Sequence, residues 1–100
     1  MKRLPVVYLP SAQADLLDGA AYIRRDSPAA AADWLALVDS ALSRLSAFPE
    51  SGTRPKDERL AAKGYRLVVL GEHLAFYVVT PRCVQIRRVL HGKRRYEFLL

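Results

Sequence analysis

Apolar side chains recur along this chain with changing periods, and each period predicts an element. Leu4 to Leu9 is rich in Val and Tyr and stops at Pro10, which suits a short strand whose exit is fixed by proline. Ser11 is then in place to cap a helix, with Asp15 near its positive end. Ala12, Leu16, Ala20 and Ile23 follow at spacings of four, four and three, which draws one apolar stripe along that helix. Gly19 weakens the helix or lets a neighbour approach closely. Ser27 and Pro28 repeat the start signal, a capping side chain followed by proline at the first helical position. Ala31, Leu35, Val38, Leu42 and Leu45 form the second stripe, widened by Trp34, Leu37, Ala41 and Phe48, so this helix is expected to be the main buried element. The break between the two helices is short enough to require an antiparallel hairpin.

From Pro49 to Lys63 the pattern dissolves into prolines, a glycine and charges, as expected of a surface loop with at most one helical turn near Glu58 to Lys63. Three apolar segments then follow closely: Tyr65 to Leu70, Leu74 to Thr80 and Val84 to Leu90. Gly71-Glu72 and Pro81-Arg82 separate them, and such short connections join antiparallel neighbours. The order β-α-α-β-β-β predicts one α+β domain over residues 1–100, with a helical hairpin packed on one face of a small antiparallel sheet. Leu74, Phe76 and Val78 share one parity of the middle strand, and Ala75, Tyr77 and Val79 the other. A strand with one wet face alternates with polar residues, so the second face is expected to wait, uncovered, for a partner.

Composition narrows the class. The longest apolar run, Leu74 to Val79, is far short of a membrane span. The apolar stretch behind Lys2 and Arg3 is cut by two prolines, unlike a secretory signal, and a cytoplasmic location is expected. Cys83 is the single cysteine, so it forms no internal disulfide and builds no metal site alone. Neither a metal nor a cofactor is expected. The formal charge of +6 is divided unevenly: residues 1–50 carry five basic side chains against six acidic ones, and residues 51–100 carry eleven against four. A surface for an acidic partner or a polyanion therefore belongs to the second half.

Candidate chemistry lies there as well. Cleavage of RNA through its 2′-OH needs a base, an acid and cations around the phosphate. His91 is the candidate acid or base, Arg66, Arg87 or Arg88 the clamp, and Tyr96 a stacking platform. A carboxylate partner for His91 is hard to assign, because Glu72 and His73 fall at a hairpin tip. The alternative is structural: arginines that solvate an edge, a histidine that caps a strand end, tyrosines at a rim. Phosphate loops, dinucleotide fingerprints, paired metal ligands and nucleophile elbows are missing from the sequence.

The succession Pro10-Ser11-Ala12-Gln13-Ala14-Asp15-Leu16, Tyr22-Ile23, Leu-Ser-Ala-Phe-Pro-Glu-Ser-Gly over 45–52, Gly64-Tyr65-Arg66, Phe76-Tyr77 and Val84 to His91 resembles the RelE/ParE toxin superfamily along nearly the whole chain. The long hairpin and a strand ending in Arg-Val-Leu-His resemble the ParE branch. That resemblance implies a toxin of a type II toxin-antitoxin system, associated with plasmid stabilisation, that inhibits DNA gyrase by protein contact and is held as a hetero-oligomer by an acidic, ParD-like antitoxin. It implies a target surface at Arg87, Arg88, His91, Lys93, Arg94 and Arg95, and an antitoxin surface at Trp34, Tyr65, Arg66, Phe76 and Tyr77. The RelE branch implies the alternative, a ribosome-dependent mRNA endonuclease acting through Arg66, Arg88, His91 and Tyr96. Two positions depart from the patterns. The His-Tyr pair of one RNase subgroup is here His91-Gly92, and the acidic residue common after the histidine in ParE-like chains is replaced by Lys93-Arg94-Arg95.

Overall fold

A computed structural model of the chain describes residues 3–93 and 99–100. The elements run β1 (Val6–Tyr8), α1 (Pro10–Arg24), α2 (Pro28–Ser43), a 3-10 turn at Arg44–Ser46, α3 (Glu58–Ala62), β2 (Tyr65–Leu70), β3 (His73–Val79) and β4 (Val84–His91). The predicted order holds, and α2 starts as expected, with the Ser27 side chain accepting from the Ala30 N–H at 3.1 Å and Pro28 opening the helix. The start of α1 differs. Leu9 stands at the cap position without a side-chain hydrogen bond, Pro10 opens the helix, and the Ser11 hydroxyl instead donates to the Arg87 carbonyl at 2.7 Å. Once proline has fixed the entry, Ser11 lies inside the first turn, where its hydroxyl is free to reach the sheet.

The sheet order is β1-β4-β3-β2. The last three strands form the expected antiparallel meander, and Gly71, at φ +66°, makes the two-residue turn between Leu70 and His73. β1 joins the outer side of β4 in parallel, Val6 opposite Val84 and Tyr8 opposite Ile86. The whole helical hairpin intervenes between β1 and the meander, and a connection of that length permits a parallel neighbour. Between β3 and β4 the register slips: Tyr77 faces Ile86 but Phe76 faces Arg88, leaving Arg87 as the extra residue of a bulge. Val84, Ile86 and Val89 all reach the helix side as a result, and Arg88 and Leu90 the other.

The main core lies between the hairpin and the sheet, built on Ala12, Trp34, Val38, Leu42, Leu45, Ala75, Tyr77 and Ile86. On α2 the buried stripe passes through Trp34, whereas Leu35, assigned to the stripe itself, is 40% exposed, and Leu37 and Phe48, assigned to its widening, are 51% and 60% exposed. Gly19 makes room for Trp34: a Cβ there would lie 2.6 Å from the indole Cη2. The opposite sheet face is not bare. Leu60 of α3, Tyr65, Phe76 and Leu90 form a second buried cluster, with Leu99 and Leu100 packed against it. The expectation of a face left uncovered for a partner is thus corrected, because the chain's own α3 and last two residues lie on that cluster.

Candidate functional site

The candidate residues collect along β4 and the strands beside it, but they do not converge on one point. β1 ends at Tyr8, so β4 beyond Ile86 would be a free edge. α1 closes it with side chains. Asp15 is nearly buried, and its carboxylate accepts from Arg88 Nε at 2.7 Å, from Arg88 Nη2 at 2.8 Å and from the Val89 N–H at 3.0 Å. This is a two-pronged carboxylate–guanidinium pair with a backbone donor completing it. The hydrogen bonds from Arg88 to Asp15 raise the arginine's pKa above its ordinary value and hold it charged. Asp15 therefore does more than meet a helix dipole, and Arg88 is committed to holding α1 on the sheet.

Arg66 is committed too. It pairs with Tyr77 across the β2–β3 ladder, and its Nη1 donates to the Glu50 and Gly52 carbonyls at 3.1 and 3.0 Å. Tyr77, wholly buried, uses its hydroxyl on the same loop, donating to the Pro49 carbonyl at 2.7 Å and accepting from the Gly52 N–H at 2.9 Å. Because Arg66 faces Tyr77 and Arg88 faces Phe76, the two arginines stand on opposite faces of the sheet.

His91 lies at the far end of β4, opposite His73. The hairpin tip that made a carboxylate hard to assign returns to this point: Glu72 Oε2 is 3.4 Å from His91 Nε2, and the Gly92 N–H donates to the Glu72 carbonyl at 2.7 Å. The Lys93 N–H donates to His91 Nδ1 at 3.2 Å, which places the ring proton of the neutral imidazole on Nε2, toward Glu72. His73 lies between the rings of Trp34, tilted at 4.8 Å, and His91, edge-on at 5.3 Å. Burial first, and then the neighbouring His91, lower the His73 pKa, against a smaller opposite effect of Glu72. Sequence reasoning missed this cluster. The signal was present in the short β3–β4 connection, which pairs Val79 with Val84 and so brings the β2–β3 tip level with the end of β4.

The distances disperse the nuclease set. Arg66 and His91 are aligned with β3 residues four apart, roughly 13 Å along the strand, and β3 itself lies between their strands. Arg87, the bulged residue, lies with its guanidinium carbon 5.6 Å from the Tyr65 ring centroid and bonds Gln85 Oε1 at 3.1 Å. Arg94, Arg95 and Tyr96 lie outside the described residues. Of the five residues expected to meet an antitoxin, Trp34, Tyr65, Phe76 and Tyr77 are buried in the two cores, and only Arg66 keeps partial exposure. Their apolar bodies were drawn inside by the same burial that closes the second face. The large apolar side chains that do meet solvent include Leu17, Tyr22, Leu37, Phe48 and Val69. Among the described residues no group of three or more His, Cys, Asp or Glu side chains could hold a metal, and no helix is long and apolar enough to cross a membrane.

A helical hairpin clamped to a small mixed sheet, with its prominent cations engaged in structural bonds, defines a compact α+β protein of the RelE/ParE architecture. The family model for the ParE toxin of the type II toxin-antitoxin system, parDE, matches residues 6–96, and the chain belongs to that family. Among solved structures it is similar to the chromosomal ParDE TA system from P. aeruginosa, with a TM-score of 0.75 at 18% sequence identity, over 93% of this chain and 100% of that one. No curated protein sequence matches it significantly.

Proposed function

We propose that this ParE-family toxin acts by protein contact, inhibiting DNA gyrase, and that an acidic ParD-like antitoxin neutralises it in a hetero-oligomer. The observation that carries this reading is the Asp15–Arg88 pair: the β4 arginine nearest His91, which a phosphate clamp on that strand would need, is held on a buried carboxylate at 2.7 and 2.8 Å. Arg66 is bound to loop carbonyls on the other face. What remains at the surface is a set of exposed apolar side chains on a chain of charge +6, which suits binding more than turnover. In this reading the target meets the end of β4, where Arg87, His91 and Lys93 stand.

One observation favours the ribonuclease alternative, the His91–Glu72 contact, since a histidine beside a carboxylate is the usual form of a general base. Two assays separate the readings. Purified toxin added to gyrase and relaxed plasmid abolishes supercoiling if the contact reading holds, and undisturbed supercoiling at saturating toxin refutes it. Toeprinting on translating ribosomes gives no cleavage under the contact reading, whereas cleavage lost in His91→Ala would establish the alternative.

A further inference from the structure

The surface at the end of β4 continues into a cavity of about 770 Å³ between α1, α2 and the β2–β3 tip. Aromatic rings form much of its wall: Tyr22 on α1, Trp34 on α2, His73 on β3 and His91 on β4. Trp34 is wedged against Gly19 and lies 4.8 Å from the His73 ring, so this wall is set before anything enters. It also carries an unmet group. Trp34 is 9% exposed, and its indole N–H is buried without an acceptor among the described residues. Buried donors are as a rule paired, so an unpartnered one in a cavity wall points to an acceptor brought from outside.

Charge sets this cavity apart from the rest of the chain. On a protein of formal charge +6, its lining holds Asp15, Asp18 and Glu72 against one cation, Lys93. Asp15 is neutralised by Arg88. Asp18 is exposed and has no cationic partner among the described residues, while the Glu72 side chain is 83% exposed and meets the His91 ring at 3.4 Å. Burial lowers the His73 pKa, so the wall gains no positive charge there near neutral pH. Buried Leu70 and Val89 complete the lining with apolar surface. Aromatic faces and carboxylates around an apolar hollow are the chemistry that recognises an organic cation.

From these features we propose that the cavity receives an arginine-bearing segment of the toxin's target protein. The guanidinium faces Asp18 and Glu72 beside the Tyr22 ring, the aliphatic stem lies along Leu70 and Val89, and the accompanying peptide carbonyl offers the Trp34 N–H its acceptor. An acidic antitoxin segment is the poorer occupant, because it would meet two carboxylates that no cation neutralises. The inference rests on the contact reading above and names the chemistry that the target brings to the end of β4.

Trp34 is the single tryptophan, so its fluorescence reports directly on the cavity. N-acetyl-arginine N-methylamide is titrated into the full-length toxin, with the uncharged citrulline analogue of the same shape as control. The arginine probe saturates the signal and shifts the Trp34 indole N–H resonance. The citrulline probe binds about tenfold more weakly, as does the arginine probe to the double variant Asp18→Asn, Glu72→Gln, whose fold is verified by circular dichroism. That variant inhibits gyrase about tenfold less well, with no fall in antitoxin affinity. No saturable response to the arginine probe, or an equal response to citrulline, overturns the pocket. Inhibition unchanged in the double variant, or a loss of antitoxin affinity in its place, overturns the assignment to the target and leaves the contact reading standing. A wild-type dimer in sedimentation that the double variant lacks gives the cavity to a second copy and also overturns it. Wild-type toxin that never slows gyrase removes the contact reading and the target assignment together.

Discussion

Replacing Asp15 with alanine removes one partner of a buried ion pair and leaves the other. The Asp15 and Arg88 side chains are 7% and 19% exposed, so water reaches the stranded guanidinium only in part. Breaking such a pair costs ~3–5 kcal/mol, and the partial exposure of Arg88 points to the lower end, about 3 kcal/mol. That figure includes the Val89 N–H, which loses its 3.0 Å acceptor at the closed edge of β4. For a domain of this length about 1 kcal/mol moves Tm by roughly 4–8 °C, so Asp15→Ala should melt about 12–24 °C below wild type. Urea unfolding followed by circular dichroism measures the change independently of the melt. The double variant Asp15→Leu, Arg88→Met supplies the control. It replaces the pair by apolar side chains and should recover stability to within about 1–2 kcal/mol of wild type, the remainder being the unpaired Val89 N–H. If the arginine is structural, that double variant also keeps its toxicity. A loss below about 1 kcal/mol for Asp15→Ala, or two single-variant losses that simply add in the double, would refute the reasoning.

Other consequences are as direct. Tyr77→Phe leaves the Pro49 carbonyl and the Gly52 N–H without their partner, and should cost about 1–2 kcal/mol in urea unfolding while speeding exchange of the Gly52 amide. Gly19→Ala gains helix propensity of about 1 kcal/mol but drives a methyl into the Trp34 ring, so a net loss of about 1 kcal/mol or more is expected; an unchanged melting temperature would show the contact to be soft. His73 is kept neutral in the fold, with its pKa below the ordinary value of about 6.5. The unfolded chain therefore binds the proton more readily, so the His73 contribution is intact above about pH 6.5 and is lost as pH falls through the lowered folded value. Urea midpoints taken at a series of pH values should decline over that window more steeply in the wild type than in His73→Phe, and equal slopes would contradict the assignment.

The helical hairpin and the meander were legible because local rules and tertiary packing agree there. Ser27-Pro28 starts α2 by capping alone, and Gly71-Glu72 sets the β2–β3 register by turn length alone. What escaped were features fixed by distant partners. Asp15 bonds residues 73 and 74 positions away. Its hint was its place beside the apolar stripe of α1, where a carboxylate has to find a cation. The bulge at Arg87 also left a trace, since the apolar positions of β4 run Val84, Ile86, Val89 and break strict alternation. Reading that break would have separated Arg66 from Arg88 and weakened the case for a shared phosphate clamp. The second core was harder to see. Phe76 and Tyr65 have the pattern of a waiting interface, and only the three-dimensional path of the chain brings Leu60, Leu99 and Leu100 onto them.

The contact account makes inhibition stoichiometric, whereas a catalyst arrests its target at a small fraction of its concentration. Purified toxin should be titrated into a fixed amount of gyrase and the residual supercoiling rate recorded against the molar ratio. The account predicts that activity falls in proportion to toxin added, that it does not decline further with incubation once binding is complete, and that antitoxin restores it. Progressive loss of activity at a toxin-to-gyrase ratio far below one, or no loss at any ratio, would contradict it.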